Sequence, residues 1–213
     1  MTSFKANLLA ALSGILLSAA PAFAEPITYA SYSVLNNQSI TLSDPALGIN
    51  EAGGSGQISL NGTNSIGGML RTWCIDIAHM LQSSGSFTTG TFLSGDLGTQ
   101  INALITHGTA QLDQDPNASS ALQVAIWKVE YGSALTVTAS ADVLALASTY
   151  IANVGSGGSW SADPTMQVAV LAGNGSNQDQ AYLTAIPEPA SMAVLAAGLF
   201  GMGLIRRRGM SAT

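Results

Sequence analysis

Residues 115–132 read Asp115-Pro116-Asn117-Ala118-Ser119-Ser120-Ala121-Leu122-Gln123-Val124-Ala125-Ile126-Trp127-Lys128-Val129-Glu130-Tyr131-Gly132, and this stretch decides the middle of the fold. Asp115 reads as a helix cap, since its carboxylate can accept a free backbone N–H, and Pro116 suits the first turn, where its missing N–H costs nothing. Leu122, Ala125, Ile126 and Val129 then fall on one face, and Gly132 ends the run. The spacing predicts a helix with one buried stripe.

Working outward, apolar residues at 97, 101, 104 and 105 predict a second helix over 97–105. On the other side Ser140 caps a third over 140–154, stopped by Gly155-Ser156-Gly157-Gly158. Further out the pattern changes to β-branched and aromatic residues. Segments 27–35 and 39–42, with Asn36-Asn37 between them, read as a strand pair joined by a tight turn. Residues 44–56 are rich in Gly, Pro and Asn and read as a loop, in which Gly53-Gly54-Ser55-Gly56 is a flexible piece. Strands are expected over 57–60 and 68–77, separated by Asn61-Gly62-Thr63-Asn64, and again over 165–171 and 181–186, with a turn at 174–178. The predicted class is α+β: one small domain of antiparallel strands, with about three helices inserted between N- and C-terminal strands.

The ends of the 213-residue chain carry a different signal. Residues 1–24 read as a signal peptide. Lys5 gives the positive start, an apolar run follows over 8–17, and Ala22-Phe23-Ala24 has the small-x-small cleavage form. A membrane helix is the alternative, but the run is short and Pro21 breaks it. At the other end Pro187-Glu188-Pro189 precedes an uncharged stretch, 190–205, and then Arg206-Arg207-Arg208. Such a stretch satisfies its backbone in lipid only as a helix. Snorkelling arginines extend its reach and place that end in the cytoplasm, with the domain before it outside. The two prolines keep the tripeptide extended and separate from the helix, where a protease can reach it.

The tripeptide, the apolar segment and the arginine cluster together resemble the PEP-CTERM sorting signal of Gram-negative bacteria. The resemblance covers 186–208 and implies that a membrane-embedded exosortase recognises Pro187, Glu188 and Pro189 and cuts the chain. An inner-membrane-anchored intermediate then becomes a cell-surface or extracellular-matrix protein. Before processing, the partner is the membrane itself, through the C-terminal helix. Between the ends, residues 25–186 hold eleven acidic residues and two basic ones, Arg71 and Lys128, a net charge of −9. A chain this acidic repels nucleic acid, so no nucleic-acid partner is expected.

One cysteine, Cys74, stands alone in a chain marked for export. Oxidising compartments usually leave cysteines paired or absent. A buried small hydrophobe or an intermolecular disulfide would explain it. Its setting offers another reading. Trp73-Cys74-Ile75-Asp76 near the end of a predicted strand, and Gln123-Val124-Ala125-Ile126-Trp127 in a predicted helix, resemble the paired motifs of the thioester domains of Gram-positive surface adhesins. The resemblance covers about 68–132 and departs from that pattern at Leu122, where a polar residue is usual. It implies that the Cys74 sulfur bonds the Gln123 side-chain carbon, Cys74 supplying sulfur and Gln123 the acyl group. A thiol against a polarised carboxamide can expel ammonia where water is excluded. The product reacts with amines, so a lysine of a partner is captured covalently. If 68–77 is one strand, Asp76 shares the face of Cys74 and holds the helix or assists proton transfer. Trp127, one turn from Gln123, shields the bond.

Other candidates are weaker. His79 and His107 lack a third ligand at metal spacing, and Asp113-Gln114-Asp115 lacks the rest of a calcium loop. No catalytic motif, P-loop or dinucleotide fingerprint is present, so neither an enzyme nor a cofactor is expected. Asn-x-Ser/Thr triplets at Asn37, Asn61, Asn117 and Asn174 are what an Asn- and Ser-rich chain produces by chance. The expected function is a covalent adhesin that meets an amine-bearing surface protein. The alternative is a non-reactive component of a matrix of extracellular polysaccharide.

Overall fold

The computed structural model describes residues 25–64 and 67–186. The expected leader over 1–24, the Pro187-Glu188-Pro189 tripeptide and the apolar segment after it lie outside the described residues. Among those described, no helix is long and apolar enough to cross a membrane. The strands are β1 (Ile27–Tyr29), β2 (Ser31–Val34), β3 (Gln38–Asp44), β4 (Ile49–Ser55), β5 (Ile58–Asn61), β6 (Met69–Cys74), β7 (Gly85–Phe92), β8 (Thr136–Thr138), β9 (Met166–Ala172) and β10 (Gln180–Ala185). The helices are α1 (Gly95–Thr109), α2 (Ala118–Tyr131) and α3 (Ala141–Val154). The class is α+β with antiparallel pairing, as the sequence implies.

Seven strands form one sheet in the order β1-β7-β9-β10-β6-β5-β2. Only Ala30 separates β1 from β2 in the chain, yet they occupy opposite edges. The sheet must therefore curl until its edges nearly meet. A second sheet, β4-β3-β8, completes the structure.

Successive residues of a strand face opposite ways, and β6 shows the consequence. Trp73 enters a core built with α1, α2 and α3, where it meets Leu104, Leu122, Ile126 and Val170. Cys74 enters the other core, with Leu60, Phe87 and Leu171 of the large sheet and Ile40, Leu42 and Ile49 of the small one. Helix α2 is wedged between the two: Leu122 and Ile126 serve the first core and Trp127 the second.

Helix ends follow the sequence signals. The Ser140 side chain accepts the Val143 N–H, and Gly132, at φ +67°, ends α2. Asp115 does not cap α2 directly. It accepts the Asn117 N–H at 2.7 Å in a turn that leads into the helix.

Four expectations are corrected. Segments 27–35 and 39–42 are not a hairpin: β2 pairs with β5, while β3 pairs with β4 and β8. Asn36, at φ +48°, turns the chain from one sheet to the other. The loop over 44–56 is largely strand β4. A Cβ at Gly54 would lie 2.0 Å from Oδ1 of the exposed Asn37 side chain, which would have to turn aside. Strand β6 ends at Cys74 rather than running on to Ile77. Finally, β7 and β8 were not expected, and β8 falls between two helices, so the helices are not a single insertion.

Candidate functional site

Cys74 is the last residue of β6, where it pairs in register with Gln180 of β10. The chain then leaves the sheet, and four hydrogen bonds hold the departing segment. Ile75 N–H donates to the Asp179 carbonyl at 3.1 Å. The Tyr131 hydroxyl, at the end of α2, donates to the Ile75 carbonyl at 3.0 Å and accepts from Ile77 N–H at 3.4 Å. Asp76 Oδ1 accepts the Ala78 N–H at 2.8 Å, a side-chain turn that reverses the chain.

Gln123 and Trp127 stand one turn apart on α2, and both face this corner. The Gln123 carboxamide grips the main chain of Cys74 twice. Its Oε1 accepts the Cys74 N–H at 2.9 Å, and its Nε2 donates to the Cys74 carbonyl at 2.7 Å. Exposure is 2% for Cys74, 1% for Gln123 and 4% for Trp127. The Cys74 thiol is free and donates to the Asp76 carbonyl at 3.1 Å. The Trp127 indole N–H meets no acceptor in hydrogen-bonding geometry, yet it lies close enough to the sulfur to favour the thiolate.

Burial pushes the Cys74 thiol far above its ordinary range, and contacts from the Asp76 main chain and the Trp127 side chain offset only part of this. The sulfur is therefore held as the neutral thiol. Glu130, the next turn of α2, is a residue that sequence reasoning missed. Burial, and then repulsion from Asp76 and Asp179, push its carboxyl up to about 8. Its Oε2 has no hydrogen-bond partner. Tyr131 is pushed up by burial and by Glu130. The only hint in sequence was spacing, since 123, 127 and 130 share a helix face.

Cys74, Gln123 and Trp127 line an open cleft of about 280 Å³, together with Ile40 and Glu51 of the small sheet and His79. Three of the expected residues, Cys74, Gln123 and Trp127, are brought together. Asp76 is adjacent but differently employed. Because β6 has already ended, its side chain belongs to the turn and binds His79 Nδ1 at 2.6 Å. His107 lies elsewhere, stacked on Trp160 at 5.3 Å and bonded to the Ser161 carbonyl at 3.1 Å. Among the described residues, no group of three His, Cys, Asp or Glu is arranged to hold a metal.

A family model described as the PEP-CTERM protein-sorting motif matches residues 185–208. The chain carries that sorting motif. PEP-CTERM implies an exported protein whose precursor is anchored at its C-terminal end and processed by an exosortase. The match takes in Pro187, Glu188, Pro189 and Arg206–Arg208 and stops short of the cleft. No curated protein and no solved structure matches the chain significantly.

Proposed function

We propose that the exported domain is a covalent tether, in which Cys74 and Gln123 form an internal thioester that captures an amine on a neighbouring surface protein. The observation that carries this reading is the double hydrogen bond joining Gln123 to Cys74 at the floor of an open cleft. The Cys74 N–H polarises the Gln123 carbonyl and stands ready to stabilise the oxygen as sulfur adds to its carbon. The thiol proton leaves with the carboxamide nitrogen, so neutral ammonia departs and no charge stays buried. Trp127 and the surrounding apolar wall limit hydrolysis, while the cleft admits a slender nucleophile. The domain's net charge of −9 draws cationic lysine side chains toward it. After exosortase processing the tether acts at the cell surface or in the extracellular matrix.

A second reading has its own support. Both polar ends of Gln123 are satisfied by Cys74, which suits a passive strand–helix pin in a non-reactive matrix protein that sits among polysaccharide. Methylamine separates the two. A thioester adds it at Gln123 and releases one thiol, and Cys74→Ala or Gln123→Ala abolishes both effects. The passive pin takes up no methylamine, and its thiol titrates only on unfolding.

A further inference from the structure

Aminolysis of a thioester needs a place for the proton that the attacking nitrogen sheds. Of the two side chains lining the cleft that can act as a base, Glu51 and His79, only His79 is bonded to the turn that follows Cys74. His79 borders the same opening as Cys74 and Gln123, and its side chain is 42% exposed. Its Nδ1 lies 2.6 Å from Asp76 Oδ2. The other oxygen of that carboxylate is fixed by the Ala78 N–H at 2.8 Å. The backbone is held as well, since Gln178 Nε2 donates to the His79 carbonyl at 3.1 Å. A carboxylate on Nδ1 makes that nitrogen the donor and leaves the Nε2 lone pair free to accept. Among the described residues Nε2 makes no hydrogen bond. Asp76 also reaches the sulfur, because its main-chain carbonyl accepts the Cys74 thiol at 3.1 Å. One residue therefore links the imidazole with the leaving group.

We propose that His79, oriented by Asp76, is the general base that opens the Cys74–Gln123 thioester to a primary amine. This rests on the thioester reading above. The amine nitrogen attacks the Gln123 carbonyl carbon, forming the amide C–N bond as the C–S bond breaks. The proton released by nitrogen passes to His79 Nε2 and from there to the Cys74 sulfur, which ends as a thiol. No other reactant is consumed. Asp76 is a positioning residue: it sets the tautomer and the ring direction and touches no substrate.

The test uses freshly prepared mature domain, wild type and His79→Gln, with thiol release followed after methylamine and, separately, after hydroxylamine. His79→Gln should keep the loss of one ammonia in its intact mass and open with methylamine about 100-fold more slowly, the scale of a lost general base. Hydroxylamine, whose adduct gives its proton readily to water, should open both proteins at similar rates. Asp76→Asn should show a smaller slowing toward methylamine alone. Equal methylamine rates in wild type and His79→Gln overturn the proposal. So does an equal slowing of both nucleophiles, which marks the ring as a steric wall. A full-mass His79→Gln beside a lighter wild type also overturns it, because the ring would then serve formation of the bond rather than its opening. A wild-type protein of full mass contradicts the thioester itself.

Discussion

Trp73 and Cys74 are neighbours in the chain and enter two cores of opposite character. On the helix side, small residues such as Ala118, Ala121 and Ala125 let α2 pack closely. Gly108 of α1 sits so near Leu122 that a Cβ there would lie 2.6 Å from its methyl. Polar groups on that side are largely paired. Asn102 donates to the Met166 carbonyl at 2.8 Å and accepts from Asp163 N–H at 2.9 Å. On the cleft side, buried polar atoms are left over. Of four without a partner among the described residues, Ser55 Oγ, Trp127 Nε1 and Glu130 Oε2 lie at or beside the cleft, and only Tyr150 OH is on the helix side. Each such group costs about 1–3 kcal/mol. Three of these four atoms lie on the side of the molecule that carries the Cys74–Gln123 pair, while the helix side is the better satisfied of the two.

The comparison breaks most visibly at its two large side chains. Trp127→Ala should destabilise the domain by about 3–5 kcal/mol, and Leu122→Ala, in the other core, by about 2–5 kcal/mol. Chemical denaturation measures both. The difference should appear in chemistry, since Leu122→Ala keeps the wild-type rate of methylamine uptake under native conditions and Trp127→Ala does not. Similar uptake rates in both variants would make the two cores equivalent.

A smaller effect sharpens the electrostatic half of the contrast. Glu130 holds its proton up to about pH 8 when folded, against an ordinary value of 4.5. The native state therefore binds more protons between those values. This contribution to stability is fully present below pH 4.5 and is lost as pH rises through about 8. Glu130→Gln should remove that decline and be more stable than wild type at pH 9 in urea titrations. Parallel pH profiles for the two proteins would mean that Glu130 is not buried against Asp76 and Asp179.

What was legible in sequence follows the same division. The helices were, because a 3.6-residue stripe and a capping Ser140 act locally. Strand β3 was, because Ile40 and Leu42 alternate into one core. Strand β4 was not, because Gly53 and Gly54 carry no side chain to alternate. Nor was β7, where Phe87 is the one buried apolar side chain among Thr, Ser and Gly. In the site, the meeting of Cys74 with Gln123 was legible through paired motifs. The turn that carries Asp76 to His79 was not, because it depends on β6 ending one residue after Trp73. Glu130 was hidden because its perturbation comes from residues distant in sequence, Asp76 and Asp179.

The most direct measurement is the intact mass of the freshly prepared mature domain. With a Cys74–Gln123 thioester it is lighter than the sequence mass by one ammonia, and the deficit disappears in Cys74→Ala and in Gln123→Ala. Slow hydrolysis converts Gln123 to Glu and erases the deficit, so peptide mapping must accompany the spectrum. Full mass in fresh protein, with Gln123 intact by mapping, would contradict the account and leave a passive surface or matrix protein.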